Sequence, residues 1–402
     1  MARDGTGNVK RDPLRANNIA IPIQPADAHA RAPATAPQRV WGGDVRRILC
    51  VRLDNLGDVL MTTPALHALK HAYPGRHLTL LASRSGAHAA RFIDDIDDVI
   101  EYDAPWVKHD QPVDANADLA MVERLASLGF DAAVIFTVYS QNPLPAAMFC
   151  HLAKIPLRLA HCRENPYGLL TDWIAEREPQ HGTRHEVERQ LALVASVGAT
   201  NADTRMRFDL RADDETSLER KLGERGVDLD APFFVMHPGA TAASRRYPPE
   251  RFAEAARVLV DRTGWPVLVT GSASEAALCE TVSAGYAGIV SLAGALELGE
   301  LAALIAHARV LVSNNSGPVH IASALGAPVV DLYALTNPQH MPWQTPHRVL
   351  YRDVPCRWCY RSVCPEGHHL CLLGVSVEEV VDAVMAMLDA RTEHQPAHLT
   401  LP

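Results

Sequence analysis

At 402 residues the chain is too long for one ordinary core and long enough for two domains. Its 48% hydrophobic and 21% charged residues describe a globular protein, and a formal net charge of −9 argues against a general nucleic-acid binder, whose affinity rests on a basic face. No run of about 18 apolar residues occurs, so no membrane span is expected, and the polar, Arg-bearing start lacks the apolar centre of a signal peptide. A cytoplasmic location is the expectation. Cys50, Cys150, Cys162 and Cys279 lie in apolar segments and read as buried thiols of a reducing compartment.

Residues 1–43 mix Pro, Ala, Asp and Arg without periodicity and read as a tail that cannot repay the entropy of ordering. Order begins near Arg46. Residues 48–53 (ILCVRL) read as a buried strand, followed by the loop Asp54-Asn-Leu-Gly-Asp58 and a helix over 59–73 closed by Pro74-Gly75. Strands are expected at 77–83 (HLTLLAS), 98–102 (DVIEY) and 132–138 (AAVIFTV), and helices at 118–128, 144–154 and 184–197. This alternation implies a parallel, doubly wound domain. The charged stretch 213–230 fits an exposed helix and linker. The pattern then restarts, with strands at 233–236, 267–270, 289–292 and 310–313, helices at 250–263, 274–284 and 298–308, and a short helix from Ser316 to Gly326 before a strand at Val329-Val330. A last helix, 377–388, has an apolar face and is expected to dock near the cleft between the two sheets.

Four loops follow strands where open parallel sheets bind ligands. In the first, Gly57 frees the backbone and Asp58 stands at a helix start, either as a helix N-cap or as a general base. The helix N-terminus is expected to lower its pKa. The second, His237 to Pro248, holds Thr241 and the pair Arg245-Arg246, a planar fork of donors for phosphate or a solvated surface pair. The third carries Glu275, which suits a ribose diol or a helix start. In the fourth, Ser316-Gly317-Pro318 opens a helix whose free N–H groups and dipole suit an anion, or Asn315 or Ser316 simply caps it.

Together the segments LDNLGDVLMTTPALHALKHAYP (53–74), HPGATAASRRYPPERF (237–252), SLAGALELGELAALI (291–305) and SNNSGPVHIASALGAPVV (313–330) resemble glycosyltransferase family 9, the ADP-heptose:lipopolysaccharide heptosyltransferases and their relatives. The resemblance runs from about Arg46 to Leu388. It implies an α/β fold of GT-B architecture, two facing doubly wound Rossmann-like domains. The implied organisation is a disordered tail (1–43), an acceptor-binding N-terminal domain (44–212), a linker (213–231), a nucleotide-sugar domain (232–374), a C-terminal helix (375–391) and a tail (392–402).

By the same resemblance Asp58 is the catalytic base, Thr241 and Arg245 contact the diphosphate, and Glu275 binds the ribose. Leu296 lies where the adenine is cradled, and Ser316, Gly317 and His320 match the pyrophosphate site. Many relatives carry Asp where this chain has Asn315; an amide weakens any proposal of a bridging Mg²⁺ there and leaves Asn315 to hydrogen-bond the nucleotide sugar. The implied reaction is metal-independent, inverting transfer of a heptose from ADP-heptose to a hydroxyl of lipopolysaccharide core or a related cell-surface glycan. The partners are then the nucleotide sugar and a lipid-linked saccharide, with peripheral attachment to the inner membrane face and no nucleic acid. A non-catalytic sugar-nucleotide-binding protein and a GT-B-like sugar-nucleotide epimerase are the alternatives; the absence of GxGxxG after any strand speaks against a dehydrogenase.

Cys356, Cys359, Cys364 and Cys371, with His368 and His369 nearby, supply ligand types for a structural zinc, without the paired CxxC spacing that marks one. A loop of packed thiols is the other reading. The segment Thr336 to His340 is unassigned between lining the donor sugar and forming a turn.

Overall fold

The computed structural model describes residues 39–107 and 113–393, which fold around two six-stranded sheets paired in parallel throughout. The first domain runs β1 (Arg47–Arg52), α1 (Leu56–Ala72), β2 (His77–Ala82), α2 (Arg84–Ala90), β3 (Asp98–Glu101), α3 (Ala115–Ser127), β4 (Ala132–Ile135), α4 (Leu144–Leu152), β5 (Leu157–Cys162), β6 (Asp172–Ala175) and α5 (Glu186–Ala195). The second runs α6 (Ala212–Gly223), β7 (Phe234–His237), α7 (Pro249–Thr263), β8 (Val267–Val269), α8 (Ala276–Ser283), β9 (Ile289–Ser291), α9 (Leu298–His307), β10 (Val310–Asn314), α10 (Gly317–Leu325), β11 (Val329–Leu332), β12 (His347–Leu350), α11 (Leu370–Leu373) and α12 (Val377–Glu393).

The central strands are continuous apolar runs because helices cover both faces of a parallel sheet and leave no solvent side. β4, β7, β10 and β11 are buried along their whole length. The strand orders are β3-β2-β1-β4-β5-β6 and β9-β8-β7-β10-β11-β12, so each half repeats the same doubly wound winding. The order in which strands are added reverses between β1 and β4 in one sheet and between β7 and β10 in the other, and ligands bind beyond such switch points. The loops after β1, β7 and β10 therefore collect in one cleft. The expected α/β, GT-B arrangement is the fold the chain adopts.

Several expectations change in detail. Residues 1–38 and 394–402 of the expected tails lie outside the described residues, but Trp41, placed in the tail, is fully buried, and its backbone bonds to Val197. The stretch taken as linker forms α6, which lies along α9 with Leu218 and Leu222 in the core; Lys221 donates to Glu300 at 2.6 Å. A charged helix with one apolar stripe needs only one packed face, and here it has one. α12 packs against α7 with Val380, Val381 and Val384 inside the second core. β5, β6 and β12 were not anticipated.

Candidate active site

Asn55 caps α1, and Asp58 is the third helical residue, not the cap: its Oδ2 accepts the Asn55 backbone N–H at 3.2 Å. Its other oxygen faces Arg52, the last residue of β1, which is wholly buried. Arg52 Nη2 donates to Asp58 Oδ1 at 3.2 Å and to Glu186 Oε1 at 2.9 Å, while Nε lies 3.3 Å from Asp54 Oδ2. Gln190 Nε2 donates to the same Glu186 oxygen at 2.6 Å. One guanidinium thus serves three carboxylates.

Burial, reinforced by that excess of negative charge, reverses the expected pKa of Asp58. Burial and the Asp54 charge push it up, Glu186 adds to the rise, and Arg52 and the Asn55 N–H oppose without cancelling it, so the carboxyl is held at about 7. The dipole of α1 loses to desolvation because the cluster is mostly enclosed, with Asp58 only 14% exposed, and charge repulsion there is less screened.

The second domain faces this cluster through α10. Gly57 lies against His320, and a Cβ there would sit 2.5 Å from the imidazole Cδ2; a Cβ on Gly317 would meet Leu56 at 3.3 Å. The starts of α1 and α10 are therefore in contact. His320 is buried and its Nδ1 has no hydrogen-bond partner; burial, reinforced by His185 and Arg245, lowers its pKa to about 3. It is a neutral hydrogen-bonding group, not a cation. Ser316 caps α10 by position and turns its hydroxyl to the Asn314 carbonyl at 3.1 Å.

Asn315 is committed internally: Nδ2 donates to Asp331 Oδ2 and to the His340 carbonyl, each at 2.9 Å. Both amide hydrogens are thus taken up inside the protein. Asp331 is buried, and burial pushes its carboxyl up to about 8 despite Asn315 and Arg245.

Arg245 enters from the loop after β7 and donates from Nε to Thr336 Oγ1 at 3.2 Å. Thr241 is exposed on the same loop. Glu275 closes a capping box, accepting the Ser272 backbone N–H at 2.9 Å and the Ser272 hydroxyl at 2.8 Å. Burial alone would raise the Glu275 pKa, but these bonds and His237 bring it below the ordinary value. Gly239 lets the neighbouring loop approach: a Cβ there would collide with Glu275 Oε1 at 2.2 Å. Leu296 packs half-buried before α9.

Sequence reasoning missed the bridge formed by Thr336 to His340. Thr336, Asn337, Gln339 and His340 are buried. Gln339 Nε2 reaches Glu186 Oε2 at 3.4 Å and Glu178 Oε2 at 3.5 Å, and the Gln339 carbonyl accepts the Glu186 backbone N–H at 3.1 Å. His340 Nε2 lies 3.8 Å from Asp58 Oδ1, and burial with His320, Arg245 and Arg52 nearby keeps the ring neutral. The segment thus delivers second-domain groups into the Arg52 cluster. Its polar composition reads as a loop, and only the partner domain explains its burial.

The Cys-rich loop forms the outer wall. Trp358 and Tyr360 donate backbone N–H groups to Leu335 and Thr336, Ser244 bonds to Arg361 and Ser362, and the Tyr360 hydroxyl meets that of Tyr139 across the cleft. Among the described residues, the groups of three or more His, Cys, Asp or Glu within metal-ligand reach comprise His67, His71 and Asp95 alone, and Cys356 lies 3.8 Å from His368. Cys356, Cys359, Cys364 and Cys371 do not make such a group as placed, so the suggested zinc site is not preformed. Cys364 is nonetheless near enough to add, after burial, to the raised pKa of both Cys356 and Cys371.

In the first domain a cleft of about 400 Å³ opens beyond β1 and β4. Asp54, Asn55, Ser83, Trp106, Gln141 and Asn142 are among its lining residues, and Gln141 donates to Asp54 at 2.5 Å. Among the described residues no helix is long and apolar enough to cross a membrane.

The sequence model of glycosyltransferase family 9 (heptosyltransferase) matches residues 118–370. Lipooligosaccharide heptosyltransferase 2 of Haemophilus ducreyi is 26% identical over 275 residues, covering 64% of this chain and 77% of that protein. The solved glycosyl transferase family 9 protein of Veillonella parvula superposes with a TM-score of 0.74 at 22% identity, covering 88% of this chain and 100% of the other. The E. coli ADP-heptose lps heptosyltransferase II structure gives 0.68 at 22% identity, with 86% and 99% covered.

Proposed function

Because this chain belongs to glycosyltransferase family 9 (heptosyltransferase), we propose that it transfers a heptose from ADP-heptose to a hydroxyl of lipopolysaccharide core or a related cell-surface glycan. The observation that carries this reading is Asp58, a carboxyl held at about 7 at the domain junction, directly opposite the start of α10. A base is most effective when its pKa lies near the working pH, ionised enough to accept a proton and basic enough to take one.

The acceptor enters the first-domain cleft beside Asp54, and its hydroxyl reaches Asp58 Oδ1. The hydroxyl oxygen attacks the anomeric carbon of the donor as its proton passes to Asp58. The bond to the diphosphate breaks on the opposite face, the configuration inverts, and ADP leaves. Arg245 and Thr241 hold the diphosphate with the N–H groups at Ser316 and Gly317, donors fixed before the reaction and aimed where charge develops. His320, being neutral, contributes an N–H rather than a charge. Glu275 binds the ribose at one oxygen while its other oxygen keeps the Ser272 cap, and Leu296 flanks the adenine. His340 Nε2, unpartnered beside Asp58, donates to the oxygen of the incoming hydroxyl, whose own hydrogen faces Asp58. No metal is assigned a role in the transfer, and the lipid-linked acceptor places the protein on the inner membrane face.

The test is a screen of ADP-, GDP- and UDP-sugars by thermal shift, followed by transfer assays with the donor that binds. ADP-heptose is expected to raise the melting temperature and to be consumed only with an acceptor. Conversion of donor alone would indicate an epimerase, and binding without transfer to any acceptor a non-catalytic role.

A further inference from the structure

On the side of the first domain away from the cleft, α1 presents a second convergence of ligating groups. His67 and His71 are one helical turn apart and so share a face. Asp95, from the segment between α2 and β3, rises between them. His67 Nδ1 lies 2.9 Å from Asp95 Oδ2 and 3.1 Å from Oδ1, and His71 Nε2 lies 3.0 Å from Oδ1. The ligand atoms all fall within 4.8 Å of one another, and the ring centroids are 4.3 Å apart.

These spacings are those of a nearly formed coordination shell. Bonds of about 2.0–2.1 Å at tetrahedral angles put neighbouring ligand atoms about 3.3 Å apart, so the two His–Asp spacings need only a few tenths of an ångström of outward adjustment around an ion, with the two imidazole nitrogens within 4.8 Å of each other. His71 is free to make it, since its side chain is 59% exposed, whereas Asp95 is held at 10% and His67 at 19%. The carboxylate is steadied from behind by Arg207, whose Nε lies 3.7 Å from Asp95 Oδ2 and whose Nη2 donates to Asp203 at 3.1 Å. Outer partners of this kind orient a ligating carboxylate. Asp203, which also pairs with Arg205 at 2.9 Å, draws off part of the Arg207 charge.

We propose that His67, His71 and Asp95 bind a divalent transition-metal ion, with water on the side opened by His71. Two imidazoles and one carboxylate suit Zn²⁺ better than Mg²⁺ or Ca²⁺, which prefer all-oxygen shells. The ion would clip the middle of α1 to the edge of the sheet before β3. It lies on the helix that carries Asp58 but takes no part in transfer, and it does not depend on the proposed activity.

The experiment uses the full chain stripped of metal with a chelator, titrated calorimetrically with ZnCl₂ beside His71→Gln and Asp95→Asn. Because the thiols of 356–371 can also take zinc, the readout is the difference in stoichiometry. Wild type is expected to bind one equivalent more than either variant and to show a zinc-dependent rise in melting temperature that both lose. A Co²⁺ titration should give the same difference without a thiolate charge-transfer band in the difference spectrum. Equal stoichiometry and equal thermal response in wild type and in the exposed-site variant His71→Gln, with unchanged circular dichroism, would overturn the site and leave ordinary His–Asp hydrogen bonds.

Discussion

Asp58 Oδ1 in the first domain and His340 Nε2 in the second stand 3.8 Å apart, and the histidine nitrogen has no hydrogen-bond partner. An oxygen can lie within hydrogen-bond reach of both atoms at once, so the pair defines a seat for a hydroxyl. His340→Ala should therefore lower turnover about 10- to 100-fold, the loss of one hydrogen bond to the reacting group, while the donor Kd changes little. Steady-state kinetics with a donor titration separates the two; an equal loss in donor affinity would remove His340 from the acceptor side.

Asp58→Asn should abolish transfer with donor binding kept. It should also alter stability in a pH-dependent way. Asp58 is raised from an ordinary carboxylate value to about 7 in the folded chain, so the folded state keeps a proton that the unfolded state has released. Wild-type stability is thus drawn down as pH rises from about 4 to about 7 and stays reduced above. The variant lacks this penalty and should melt higher than wild type at pH 8, with the advantage gone near pH 4. Wild-type turnover rising through about 7 with pH gives the kinetic counterpart.

Glu186 contributes to that raised value while sharing Arg52 Nη2 with Asp58. Glu186→Gln preserves the shape and removes the charge. The acidic limb of the pH–rate profile should move to lower pH, with a smaller change in the plateau rate. An unmoved limb would dissociate the profile from Asp58.

Arg245→Ala should weaken donor binding about 10- to 100-fold, the range for a charge-assisted hydrogen bond of about 1.5–3 kcal/mol. Arg245→Lys keeps the charge and loses the fork that also holds Thr336, so an intermediate affinity is expected by calorimetry.

Asn315→Asp replaces an amide that donates to Asp331 with a second carboxyl 2.9 Å away. Below about 8 Asp331 keeps its proton and can donate it across the pair; above, two like charges face each other in a buried site. The variant should lose melting temperature at both pH 6.5 and pH 9, and more at pH 9.

The parts legible in the sequence were those governed by local rules. β1, β7 and β10 are short apolar runs ending in small or polar residues, and their loops carry the residues that meet in the cleft. β5 was hidden because Leu157–Cys162 includes Arg158 and His161, both buried through distant partners: Arg158 donates to the Leu169 and Gly168 carbonyls, and His161 lies against Arg189. β12 is an edge strand with little burial to impose a pattern. The pKa of Asp58 was misjudged for a similar reason. A helix start is visible in five residues, whereas Glu186 and Gln339 arrive only by tertiary folding. The placement of Thr336 to His340 belongs to the same class.

Gly57 and His320 touch without a side-chain atom on the glycine. Position 57 thereby works as a gauge block between the two halves: the gap from Asp58 to the start of α10 is set by bare backbone against one imidazole face. Any larger residue would wedge the halves apart by about the width of a methyl group. A displacement of about 1 Å between reacting atoms costs on the order of 100-fold in rate, so the smallest residue in the chain holds one of its tightest tolerances.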